Sequence, residues 1–105
     1  MERRQREQSW AVTRGHLDNA RHLLPERLRD SDEGWSLERY EEWLAHNELE
    51  LALEELEGLG DENDAPTAFW AELLAAAENM GLAQHVERCK QRLAGLDLNQ
   101  AYALR

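Results

Sequence analysis

Residues 36–58 read SLERYEEWLAHNELELALEELEG, and this stretch decides the fold. Leu37, Tyr40 and Leu44 recur at three- and four-residue intervals, so they share one face of a helix. Ser36 stands in front of them as an N-cap, whose hydroxyl accepts from an otherwise orphaned backbone N–H. His46-Asn47 breaks the period, and Leu49, Ala52, Leu53 and Leu56 restart it. The spacing therefore predicts two helices joined by a two-residue turn, the second over about 48–58. Trp43 lies about 100° of helix rotation from the apolar face of the first. Opposite the apolar face of the second stand Glu50, Glu54 and Glu57, with Leu51 among them.

Outward from this hairpin the chain still reads as helix. Val, Thr and Ile number only Val12, Val86, Thr13 and Thr67, too few for a β protein. Trp10, Leu17, Ala20 and Leu24 set a first helix over about 5–24, which Pro25 must end or kink. Pro66 opens a fourth helix, as proline does in a first turn, with Phe69, Leu73, Ala76, Ala77 and Met80 as its stripe. A fifth, over about 82–94, carries Leu82, Val86, Cys89 and Leu93. Gly34, Gly58, Gly60, Gly81 and Gly95 fall where helices are expected to stop. Short loops imply antiparallel neighbours. The expectation is one all-α domain over 1–105, a small bundle of about five helices arranged as antiparallel hairpins, with 1–8 and 96–105 free to fray. An echo at an offset of 33 residues, Leu44 onto Ala77 and Leu49 onto Leu82, has the period of tetratricopeptide-type units.

Charge is unevenly spread. From Tyr40 to Glu87 there are thirteen carboxylates and no Lys or Arg, while residues 1–39 sum to zero and 88–105 to +3, giving the net −10. That balance excludes sequence-independent nucleic-acid binding, which needs a basic patch. It favours a basic protein partner, through long-range attraction. A single cysteine, Cys89, allows no intrachain disulfide. No apolar run is long enough to span a bilayer, and no apolar stretch follows Met1–Arg6 as a signal peptide requires. The expectation is a cytoplasmic monomer.

No enzyme is expected. The hydroxyls form no nucleophile elbow, and Gly58-Leu59-Gly60 is followed by acids that would repel phosphate. Cys89 on an apolar stripe reads as a core thiol. His46, Glu50 and Glu54 recur four apart, with Glu42 a turn earlier, but the Glu-x-x-His spacing of di-iron bundles is missing. Asp61, Asn63 and Asp64 lack the glycine and distal Glu of a calcium loop. His16, His22 and His85 show no ligand spacing. No cofactor and no metal requirement are expected.

YEEWLAHNELELALEEL (40–56) and FWAELLAAAENMGL (69–82) resemble the MafI family of bacterial immunity proteins. The matching elements are Trp43-Leu44, His46-Asn47-Glu48, Leu51-Ala52-Leu53-Glu54-Glu55-Leu56, Pro66 and Met80-Gly81. The likeness covers roughly half the chain, and its weight lies in their order and spacing. The resemblance implies a protein that neutralises a secreted polymorphic toxin, often a nuclease, by binding it. It transfers no contact residues. From the residues themselves, the expected partner-binding set is Trp43, Glu50, Leu51, Glu54, Glu57, Asp61, Glu62 and Trp70: acids on the outer face of helix three and its loop, with apolar anchors beside them. The alternative is a tetratricopeptide-like adaptor for protein–protein interaction.

Overall fold

The computed structural model describes residues 2–103, with side chains from 5 to 96. Five helices follow one another: α1 (Glu2–His22), α2 (Leu37–Ala45), α3 (Leu49–Glu62), α4 (Thr67–Met80) and α5 (Ala83–Ala103). Among the described residues there is no strand, and the fold is an all-α bundle. Local chemistry sets the helix ends. Ser36 Oγ accepts from the Arg39 N–H at 3.1 Å and starts α2. Gly81 closes α4 in the left-handed region, φ 71°, where a side chain would be strained. Asn47 and Asp64 take positive φ in the turns after α2 and α3, and both residue types tolerate it.

The apolar stripes meet in one core. Leu17 and Ala20 of α1, Tyr40 of α2, Ala52, Leu53 and Leu56 of α3, Phe69, Leu73, Ala76 and Ala77 of α4 and Cys89 of α5 are all fully buried. α2 packs on α3, α4 on α5, and α1 chiefly on α4. Since α4 reverses direction between them, α3 and α5 run parallel. They are tied by polar side chains rather than by close backbone packing. The non-helical segment 23–36 crosses α3: the Arg29 backbone N–H donates to Asn63 Oδ1 at 2.7 Å, and Ser36 N–H to Glu55 Oε2 at 3.1 Å.

Two expectations need correction. Gly58 and Gly60 do not end α3 but sit inside it. They are small because aromatic rings rest on them. A Cβ at Gly58 would come within 2.3 Å of the Trp35 ring, and one at Gly60 within 2.4 Å of the Phe69 ring. Gly95 does not end α5 either, and α5 runs on to Ala103. Helix occupies 2–8 and 96–103, and Met1, Leu104 and Arg105 lie outside the described residues.

Candidate functional site: a charge seam and an acidic end

Glu50, Glu54, Glu57 and Asp61 occupy one face of α3 at spacings of four, three and four, as helix geometry requires. That face does not look out to solvent along its length. α5 lies over it, presenting His85, Arg88 and Arg92 at spacings of three and four. The two series pair in parallel register. Asp61 accepts from Arg92 Nε and Nη2 at 2.7 and 2.6 Å, a bidentate pair. Glu57 accepts from Arg88 Nε at 3.2 Å and faces His85 Nδ1 at 2.7 Å. Glu50 and Glu54 stand 3.5 and 3.6 Å from His85 Nε2.

Among the acids of this seam Glu57 alone is buried, and Asp61 keeps a 48 % exposed side chain despite its pair with Arg92. Glu57 is 6 % exposed, so its expected place on an outer face is corrected: the imidazole and guanidinium of α5 cover it. Trp70 is likewise no free anchor. At 3 % exposure it packs edge-on against Phe69, centroids 4.9 Å apart, and carries the Arg92 guanidinium 4.6 Å from its ring centroid. Asp61, Arg92 and Trp70 thus form one sandwich. That Asp61 bond, the largest cause, holds Arg92 more firmly charged than an ordinary arginine. The side chains of Glu50 and Glu54 remain 56 % and 41 % exposed.

The remaining expected residues are bound into the structure to different degrees. Glu62 is half-buried and accepts from the Ser31 hydroxyl. Leu51 is half-buried rather than outward-pointing. Trp43 is half-buried, lies under the Arg39 guanidinium at 6.0 Å, and donates its indole N–H to Glu55 Oε1 at 3.2 Å. Glu55 is 1 % exposed and collects Ser36 N, Trp43 Nε1 and Arg39 Nε (3.1 Å). Arg29 reaches Asp64 at 3.2 Å, Arg21 reaches Glu41 at 3.8 Å, and His16 meets Glu72 at 2.7 Å. Much of the one-sign block is therefore matched by cations and imidazoles from the two flanks.

What is left gathers at one end. Glu50 lines a recess with Gly81, Leu82, Ala83 and His85 at the α4–α5 turn. Glu78 and Glu87 flank the same turn and are exposed. Glu48 opens the neighbouring α2–α3 turn and is exposed too. Among the described residues, no ion pair involves Glu48, Glu78 or Glu87, while Arg14 is engaged with the Leu44 carbonyl and Asn47 and Arg88 with Glu57. Cys89 is fully buried as expected; burial first, and the Glu57 charge second, push its thiol up to about 12.

The sequence reading missed His85, because the acids it meets, Glu50, Glu54 and Glu57, lie 28–35 residues away on α3. The usable signal was the matched spacing of Glu50, Glu54, Glu57 and Asp61 with His85, Arg88 and Arg92. Comparison with protein-family models, with curated proteins and with solved structures finds no match. Among the described residues, no helix is long and apolar enough to cross a membrane.

Proposed function

We propose that this chain is an immunity protein: it binds and neutralises a secreted polymorphic toxin, a nuclease by preference, through its acidic end. The observation that carries the reading is the division of the carboxylates. Glu57 and Asp61 are paired with guanidinium groups of α5, whereas Glu50 and Glu54 face only an imidazole and, with Glu48, Glu78 and Glu87 nearby, leave a negative surplus at one end. A nuclease groove is basic because it binds phosphates, so it is the natural complement of such an end. Charges of this kind act mainly on the association rate, by steering, and their effect falls with salt. No catalytic step is assigned to this protein, and the cytoplasm is where it would meet an incoming toxin.

The resemblance of 40–56 and 69–82 to MafI immunity proteins supports the same reading. The adaptor alternative is less favoured by the packing. Solenoid repeats touch only their sequence neighbours, whereas α1 packs chiefly on α4. The test is inhibition of the toxin domain encoded beside this chain's gene. Stoichiometric loss of toxin activity on adding the purified protein is expected. No complex at micromolar concentrations would overturn the reading.

A further inference from the structure

Three electron-rich atoms converge where α3 meets the start of α5: His85 Nε2, a carboxylate oxygen of Glu50 and one of Glu54, all within 4.8 Å of one another. His85 is no loose surface group, being 5 % exposed. Its Nδ1 is taken by Glu57 at 2.7 Å, and Arg88 in turn holds Glu57. The hydrogen bond from Nδ1–H to Glu57 turns the other nitrogen toward Glu50 and Glu54. Arg88 Nη2 stands 2.7 Å from Nδ1 yet only 3.5 Å from Nε2. A donor on the Nδ1 lone pair would be much farther from Nε2, so the guanidinium lies over the ring face and leaves the in-plane position of Nε2 open.

A lone pair and two carboxylates aimed at one point repel unless a cation sits between them. A proton on Nε2 is the simplest candidate. However, charge-assisted N–H···O bonds close to about 2.7–2.9 Å, and the two carboxylates stand off at 3.5 and 3.6 Å. Those separations fit a shared ion better. Bonds of about 2.0–2.1 Å in tetrahedral geometry put neighbouring ligand atoms roughly 3.3–3.4 Å apart. The exposed side chains of Glu50 and Glu54 have the freedom to close the remaining gap. A carboxylate holding the far nitrogen of a ligating imidazole is the usual outer partner of such a site.

We propose that Glu50, Glu54 and His85 bind a zinc-class divalent cation, with Glu57 orienting the imidazole and solvent in the fourth position. The ion would clamp α3 to α5 at the acidic end. The proposal does not rest on the toxin reading, because its test needs this chain alone. Tag-free, chelator-stripped protein is titrated with Zn²⁺ by calorimetry, and its melting midpoint is followed in parallel. One Zn²⁺ per chain and a raised midpoint are expected. The Glu50→Gln/Glu54→Gln double variant changes only exposed groups and should keep the metal-free midpoint while losing at least tenfold in affinity. Glu57→Gln should weaken binding by about 10–100-fold. Absence of Zn²⁺ binding, equal binding by the double variant, or Ca²⁺ binding as tight as Zn²⁺ would each overturn the proposal, the last because oxygen-only chemistry would then suffice.

Discussion

The two halves of the α3 acidic face have the same composition and opposite fates. Glu57 is buried under His85 and Arg88, and Asp61, though its side chain is 48 % exposed, is fixed by a bidentate pair with Arg92. Glu54 and Glu50, one and two turns before Glu57, meet only an imidazole and stay partly in water. The difference comes from α5, whose bases begin at His85 and continue at Arg88 and Arg92, so the guanidinium cover starts one turn too late to reach Glu50. A run of like charges in sequence is thus no measure of surface charge. The fold brings neutralising partners from elsewhere and leaves the surplus only where they run out.

The sharpest way to break this contrast is to remove Glu57 from one half and both Glu50 and Glu54 from the other. Glu57→Ala leaves buried His85 and the Arg88 cation without their carboxylate, and should cost about 3 kcal/mol, since breaking a buried charged network is expensive. Glu50→Gln/Glu54→Gln should change stability by no more than about 0.5 kcal/mol, as exposed substitutions do. Denaturant melts check both. Equal losses would mean that the two halves do not differ.

The second expected effect concerns the covered middle of α3. Gly60→Ala would drive a methyl group into the Phe69 and Trp70 rings, and should cost about 2–3 kcal/mol by overpacking. Unfolding midpoints settle it, and a neutral result would place those rings elsewhere.

Cys89 sharpens the contrast from beneath the seam. Its thiol, ordinarily near 9, is pushed up to about 12 in the fold, so folding favours the neutral form. The stability this contributes is complete below pH 9 and is lost as pH rises from 9 toward 12, by at most about 1.4 kcal/mol per pH unit. Burial pushes Tyr40 upward as well, adding to loss in alkali. Melts at pH 8 and 10, beside a Cys89→Ser control, check the slope. Rapid thiol labelling of folded protein at pH 8 would contradict the burial.

The smallest effect tests an open position. A Cβ at Gly15, inside α1, would meet nothing within 4 Å. Gly15→Ala should therefore stabilise by about 0.5–1 kcal/mol through helix propensity. A loss instead would show an unseen neighbour there.

The helices were legible because their spacing is local: Ser36, Leu37, Tyr40 and Leu44 announce α2 without help from the rest of the chain. Glycine was misread at Gly58 and Gly60, because the rings that require them there, Trp35 from the segment before α2 and Phe69 from α4, are brought against α3 only by the fold. The candidate site was legible in part. Glu50 and Glu54 stand exposed as the α3 pattern implied. Glu57 and Trp70 do not, since what covers them, His85, Arg88 and Arg92, lies more than twenty residues away and becomes a neighbour only after α4 reverses the chain.

The central claim is that the uncovered acids at one end, rather than net charge at large, draw in a basic partner. The most direct measurement is the association rate of metal-free protein, in chelator, with the toxin domain encoded beside this gene, taken at low and moderate salt. Two variants with the same loss of charge are compared: Glu50→Gln/Glu54→Gln at the acidic end, and Asp32→Asn/Glu33→Gln in the exposed 23–36 segment. The account predicts a several-fold slower, less salt-dependent association for the first pair and little change for the second. Equal slowing by both pairs, or no slowing by either, would contradict it.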